Sequence, residues 1–163
     1  MEVTEYDLSR HSRCNCPTMG INMTFQVTFS VEGKPVPKGR PRFARRGKFV
    51  STYSPKTTVD YESKVAEAAK QAMGSSEPLE TPVSFFCYIT IPIPKSYSKK
   101  RVEACLNGFE KPSKKPDWDN VAKAISDSIN GIVYVDDCQI VNAHVAKRYG
   151  TIGLVEVLVK EDI

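Results

Sequence analysis

The chain has 163 residues, of which 40% are hydrophobic, and this size and composition suit one domain with a hydrophobic core. The five cysteines are scattered, and no run approaches the ~18 apolar residues of a membrane span, which argues against a disulfide framework and a membrane protein. The net charge is +4, but seven basic residues lie between Lys34 and Lys48 with no acid, and seven lie between Lys95 and Lys115 against two glutamates. This segregation of charge indicates contact with nucleic acid. We also expect a cytoplasmic protein.

The N-terminal part of the chain predicts a tail followed by a strand. Residues 1–20 are polar and aperiodic, so we predict a flexible tail there and a folded domain over 21–163. Cys14 and Cys16 lack a second ligand pair at zinc-binding spacing. From residue 23 to 31 apolar and polar residues alternate, which predicts a half-buried strand.

The first basic cluster is interrupted by prolines, and we expect it to form an irregular, arginine-rich loop. A helix is predicted from Thr57 or Thr58 to Met73. Val59 lies on its apolar stripe, and Gly74 is a typical C-terminal stop.

The second half of the chain predicts further strands and helices in alternation. A buried strand is expected over 83–91, and a short helix is expected to begin after Ser98. A longer helix is predicted with Asp119 as its N-cap and Gly131 as its stop, because its apolar residues recur at helical spacing. Three strands follow in the prediction, over 132–135, 139–148 and 152–160.

Four carboxylates and a lysine form the most unusual cluster of the sequence. Asp117 and Asp119 are one residue apart, so both point the same way in an extended segment. Asp137, with Asp136 before it, follows a short predicted strand and would return beside them. Hard oxygen ligands of this kind suit Mg²⁺, and Lys123 lies one helical turn beyond Asp119.

Structural roles explain each of these residues when it is taken alone. Asp119 serves equally well as a helix cap, and the Asp136–Asp137 pair as a turn. We expect Asp127 to be an exposed helix position that pairs with Lys123, and Trp118 to be a core anchor.

The acidic cluster also carries a resemblance to a known family. Residues 115–131 read KPDWDNVAKAISDSING, and residues 136–140 read DDCQI. Together they resemble the signature of RusA-type Holliday junction resolvases, K-P-D-x-D-N-x-x-K-x-x-x-D-x-[LI]-N-G followed by D-D-x-Q-[VI]. Residues 37–43 and 53–62 are similar to the phage and Gram-positive branch, and the likeness extends from about residue 23 to 160.

The resemblance implies a small α/β domain of order β-α-β-α-β-β around a mixed sheet. It implies a homodimeric, Mg²⁺-dependent endonuclease, bacterial or phage-encoded, that cuts four-way DNA junctions by paired nicks in recombination and repair. Whether Mn²⁺ substitutes stays open. The family's catalytic residues would be Asp117, Asp119, Asp137 and Lys123, and its metal site would hold the three aspartates together with Asp136. Trp118 stands where an aliphatic residue is usual.

Basic residues near the cluster would hold DNA phosphates without reading sequence. The expected DNA-binding residues are Lys38, Arg40, Arg42, Arg45, Arg46, Lys114 and Lys115.

Two other functions remain open at this point. The first is a non-catalytic branched-DNA-binding protein that retains the fold, against which the intact acidic set argues. The second is a nucleotide-sugar transferase that uses the Asp-x-Asp pair, although such enzymes generally need a larger nucleotide-binding fold.

Overall fold

We describe the protein from a computed structural model, which covers residues 25–40, 42–46, 49–53 and 55–162. Between residues 42 and 53 it describes the backbone alone. The predicted tail and the first residues of the first predicted strand lie outside the described part of the chain. Among the described residues, no helix is both long and apolar enough to cross a bilayer.

The described elements form a mixed α/β domain, which confirms the predicted fold class. In chain order they are β1 (Gln26–Glu32), β2 (Arg42–Arg46), β3 (Phe49–Tyr53), α1 (Lys56–Met73), β4 (Val83–Pro92), α2 (Lys99–Leu106), α3 (Trp118–Ile129), a 3₁₀ turn (Asp137–Gln139), β5 (Ile140–Gly150) and β6 (Leu154–Glu161).

Four of the strands form one mixed sheet in the order β1-β6-β4-β5. β6 is antiparallel to both β1 and β4, so Val157 lies between Phe29 and Cys87. β4 and β5 are parallel, and Cys87 pairs with Val145. β2 and β3 form a separate antiparallel hairpin.

One face of the sheet is covered by α1 and α3, and the core lies between them. Strands β1, β4 and β6 place alternate residues on this face, because successive side chains of a strand point to opposite sides. Val65 and Ala69 of α1, and Val121 and Ile125 of α3, are fully buried there. The helical spacing of these residues matches the stripe expected from the sequence.

The parallel pairing of β4 and β5 fixes the direction of α3. A parallel pair requires the chain to return to the end where the first strand began, and α3 makes most of that return. The return is closed by hydrogen bonds between Leu79, which precedes β4, and the segment after α3: Leu79 N donates to Val133 O at 2.9 Å, and Val135 N donates to Leu79 O at 3.1 Å. α3 therefore ends at the amino ends of β4 and β5.

Three sequence predictions of local structure are wrong. The basic segment is not wholly irregular, because its second half forms the β2–β3 hairpin. Residues 132–135 form a turn with isolated bridges instead of a strand, since Val133 N still bonds to Ile129 O as a continuation of α3. The N-cap of α3 is Asp117, two residues before the predicted Asp119. The stop at Gly131 is confirmed by its φ of 70°.

Ile125→Ala should lower the free energy of unfolding by about 2–5 kcal/mol, because it leaves a cavity between α3 and the sheet. Val59→Ala is the matched control: Val59 was expected on the apolar stripe of α1 but is 45% exposed. We expect its effect to stay within about 0.5 kcal/mol. Urea unfolding followed by circular dichroism measures both, and equal losses would contradict the assignment of the buried faces.

Candidate functional site

The first pair of carboxylates lies at the start of α3. Asp117 is the N-cap in extended conformation (φ −70°, ψ 137°), and its side chain makes no capping hydrogen bond. Asp119 lies in the first turn, and both residues are exposed. The positive end of a helix dipole interacts favourably with carboxylates near the N-terminus. Two carboxylates thus face solvent at one helix terminus.

The segment that carries these carboxylates is fixed from two sides. Lys147 of β5 donates from Nζ to the carbonyl oxygens of Lys114 and Pro116, both at 3.0 Å. The backbone amide of Lys38 donates to the carbonyl of Asn120 at 2.8 Å. Because these contacts lie directly before and after the acidic pair, they hold its backbone against the sheet.

The second pair of carboxylates lies in the turn that precedes β5. The Asp136 side chain accepts from Cys138 N at 2.9 Å, and the Gln139 side chain accepts from Asp136 N at 2.8 Å, which completes a capping box. Hydrogen bonds from the Cys138 amide lower the pKa of Asp136. Gln139 also donates to the carbonyls of Leu79 and Thr81 at 2.9 and 2.8 Å. This anchoring orients the turn that carries Asp137.

The two pairs lie at opposite ends of the sheet. The segment before Asp117 is held by Lys147, whereas Asp137 precedes Ile140, seven residues earlier in β5. At about 3.3 Å per residue this places Ile140 roughly 23 Å from Lys147 along the strand. In keeping with this, the described residues contain no group of three or more His, Cys, Asp or Glu side chains arranged to hold a metal ion. Within the described part of a single chain, Asp137 therefore does not lie beside Asp117 and Asp119. The residues of one chain alone do not fit a magnesium site with three carboxylates.

Lysines and acids form a network along α3. Lys123 Nζ lies 3.6 Å from Asp127 Oδ1, as expected from their spacing. Asp127 Oδ2 also pairs with Lys38 Nζ at 3.0 Å, and the same ammonium donates to Glu62 Oε1 at 2.6 Å. Partial burial acts to lower the pKa of Lys38, but the hydrogen bonds to Glu62 and Asp127 outweigh it and raise the pKa. Lys38 thus links the basic segment to α1 and α3, a structural role beside the phosphate contact expected of it.

The other expected DNA-binding residues are either exposed to solvent or have side chains that the structure does not describe. Arg40, Lys114 and Lys115 are exposed. The backbones of the remaining three lie on β2, and their side chains are outside the described part of the structure: Arg42, Arg45 and Arg46.

A groove lies beside Asp117. It has a volume of about 330 Å³ and is lined by Asp117, Asn120, Lys115, Lys38 and Lys34 together with three prolines. The groove therefore brings an acidic group and several lysines to one opening. A phosphodiester lying in it would meet cations along its length and a carboxylate at its end.

Trp118 does not serve as the core anchor that the sequence predicted. Its side chain is 56% exposed, because α3 turns Val121 and Ile125 toward the sheet instead. An indole between two exposed carboxylates adds an apolar surface at the mouth of the site.

Lys147 is a site residue that the sequence interpretation missed. It lies in β5 between Val145 and Tyr149, on the phase that faces the helices. A lysine on the inward phase of a strand was the available signal, since such a residue needs buried acceptors nearby. The acceptors proved to be carbonyl oxygens of a distant loop, which the sequence does not identify.

Comparison with known proteins places the chain among nucleases. The family model described as Endodeoxyribonuclease RusA matches residues 32–160. The chain is also 36% identical over 137 residues to a Bacillus subtilis (strain 168) protein named uncharacterized protein YqaN, a match that covers 83% of this chain and 96% of that protein. Both carboxylate pairs, Lys123 and Lys147 fall inside the family match.

Lys38→Met should lower the free energy of unfolding by about 1 kcal/mol, because it leaves Glu62 and Asp127 facing each other without their shared cation. The matched control is Lys64→Met, an exposed lysine of α1 with no described ion pair, which should change stability little. Adding Glu62→Gln to Lys38→Met should recover part of the loss. Thermal unfolding at low and high salt measures these changes, and equal stability of the two lysine variants would refute the network.

Proposed function

The chain belongs to the RusA endodeoxyribonuclease family, and from this premise we propose that it is a structure-selective endonuclease that resolves four-way DNA junctions by paired nicks. The observation that carries the proposal is the exposed carboxylate of Asp117 in the wall of a lysine-lined groove, with the exposed Asp119 two residues further along α3. The family itself implies nuclease activity on branched DNA. The paired nicks, the metal and the dimer are parts of the proposal.

The chain's own residues would act mainly by binding and positioning. Lys34 and Lys115 would hold the phosphates on either side of the cut, because lysine acts as a mobile point charge toward phosphate oxygens. Lys123, whose side chain is 63% exposed, is free enough to turn from Asp127 toward a phosphate. Magnesium, when bound, would supply Lewis acidity and an activated water.

The separation of the carboxylates supports a homodimer as the active unit. Asp137 lies far from the acidic pair of its own chain, while the family signature joins all three aspartates. We infer that Asp137 of the partner subunit completes the metal site beside Asp117 and Asp119. A two-fold dimer would then have two identical composite sites, which suits the near two-fold symmetry of a junction.

One observation supports the alternative of a non-catalytic branched-DNA-binding protein: the carboxylates of a single chain lie far apart. A nicking assay distinguishes this alternative from the proposed nuclease. Labelled four-way junction, linear duplex and fork DNA are incubated with the protein over a range of Mg²⁺ concentrations, and the nicks are mapped. Symmetric, Mg²⁺-dependent nicks on the junction support the resolvase, and binding without nicks supports the alternative.

Asp117→Asn, Asp119→Asn and Asp137→Asn should each abolish nicking while junction binding stays intact or tightens, because each removes a negative charge and a ligand oxygen but leaves the lysines in place. Nicking assays and gel shifts without metal measure the two properties. Asp60→Asn, an exposed aspartate on α1, is the matched control and should retain full activity. Cleavage by any of the three purified variants would remove that residue from the metal site.

Mixing the Asp119→Asn and Asp137→Asn proteins should restore nicking if sites are composite. Random subunit exchange makes half of the dimers mixed, and each mixed dimer has one intact site, so about a quarter of the wild-type sites return. The product should be single nicks, since the second site of each mixed dimer is inactive. Mixing Asp117→Asn with Asp119→Asn is the control and should restore nothing. Absence of recovery after demonstrated exchange would place all three aspartates in one chain's site.

A further inference from the structure

A second, larger cleft continues from the groove away from the acidic pair. Its volume is about 640 Å³, and it lies where β4 and β5 end, between the segment after β1 and the segment before α3. The two cavities share Lys34, Pro35, Lys115 and Pro116 in their walls. The two cavities are therefore adjacent, and a strand of nucleic acid that follows the groove away from Asp117 would reach this cleft.

The cleft is positively charged. Lys34, Lys95, Lys114 and Lys115 line it, and no described acidic residue does. The described ion pairs of the protein involve other cations: Lys38, Arg101, Lys123 and Arg148. The four exposed ammonium groups of the cleft are thus available to an anion such as a phosphate.

The cleft also has an aromatic and apolar lining. Tyr97 and Tyr149 meet edge to face with ring centroids 6.3 Å apart. The Arg101 guanidinium lies 3.7 Å from the Tyr97 ring centroid, and Glu110 holds Arg101 through hydrogen bonds of 2.7 and 2.9 Å. Tyr97 is therefore a supported ring in a defined position, and prolines extend the apolar surface beside it.

The cleft walls are tied to the sheet. Ile93 N donates to Gly150 O at 3.0 Å, which joins the ends of β4 and β5 behind the tyrosines. On the opposite side Lys147 fixes the carbonyls of Lys114 and Pro116. The walls of the cavity are thus hydrogen-bonded to β4 and β5 on two sides.

We propose that this cleft binds an unpaired nucleotide of the DNA strand next to the cut, with its phosphates on the four lysines and its base against Tyr97 and Tyr149. The proposal rests on the proposed function, because branched DNA supplies such a nucleotide at the branch point. A nucleotide within a duplex keeps its base faces stacked on its neighbours, so only an unpaired one offers both a phosphate and a free base face. A volume of about 640 Å³ lies in the range of pockets that hold small ligands, which is the size class of a single nucleotide.

The test measures binding without metal, so that no cleavage is needed. The probes are a short fluorescein-labelled oligothymidylate and a labelled blunt hairpin duplex, and the readout is fluorescence anisotropy in EDTA. Tyr97→Leu should weaken oligothymidylate binding by about tenfold and leave duplex binding unchanged, because it removes one stacking ring. Tyr97→Phe keeps the ring and should bind both probes like the wild type.

A second pair of variants tests the charges independently of the tyrosine. Lys95→Ala with Lys114→Ala should weaken oligothymidylate binding and reduce the slope of log K against log salt by about 1.4, or ~0.7 for each lost phosphate contact. Lys70→Ala is the control: Lys70 is an exposed lysine of α1 that does not line the cleft, and its variant should keep the wild-type slope.

The outcomes separate this proposal from the proposed function. If the wild type nicks junctions but Tyr97→Leu binds oligothymidylate normally, or loses both probes equally, the cleft assignment is overturned and the nuclease stands. If Tyr97 and the lysines are needed for oligothymidylate but no branched DNA is nicked, the nuclease is overturned and the cleft stands. Displacement of oligothymidylate by an equal concentration of thymidine monophosphate would also overturn the assignment to a DNA strand.

Discussion

The parallel pairing of β4 with β5 is the constraint on which the rest of the structure depends. A parallel neighbour forces the chain to travel back along the sheet before the second strand begins, and α3 makes that return. The start of α3 and the turn before β5 consequently lie at opposite ends of the same strand pair. Because Asp117 belongs to the first location and Asp137 to the second, two aspartates near in sequence are distant in space. In the proposed homodimer, a second copy of the chain would bring them together.

The charged side chains near the start of α3 differ in their exposure and in their partners. The acids of the first pair are exposed, with backbone positions set by Lys147 and by the Lys38 amide. The Lys38 ammonium is neutralised by Glu62 and Asp127, so this lysine links the basic segment to α1 and α3. The other lysines of the two cavities, Lys34, Lys95, Lys114 and Lys115, have no described acidic partner and remain available for phosphate. Burial therefore separates lysines that stabilise the fold from lysines that would bind DNA.

Sequence periodicity predicted the helices and the main strands well, and it failed where local rules compete. Asp117 and Asp119 are equally good caps by residue type, and the structure places the N-cap at Asp117, whose backbone is extended (φ −70°, ψ 137°) where the helix begins. Proline spacing predicted a loop in the basic segment, but Arg42–Arg46 contains no proline and pairs with Phe49–Tyr53. Trp118 was assigned to the core on hydrophobicity alone, yet the phase of α3 is set by Val121 and Ile125, which leaves the indole outside.

The sequence by itself determined the fold class and the family, and it identified the residues proposed to carry the chemistry, because all of these inferences depend on residue types at fixed spacing along one chain. The tertiary structure decided which of those residues meet. Spacing measures distance along a helix or strand, whereas the separation of Asp137 from Asp117 follows from the direction in which β5 pairs with β4. The cleft formed by Lys34, Tyr97, Lys114 and Tyr149 has the same origin. Its residues come from four distant segments, so only packing against one end of the sheet brings them together.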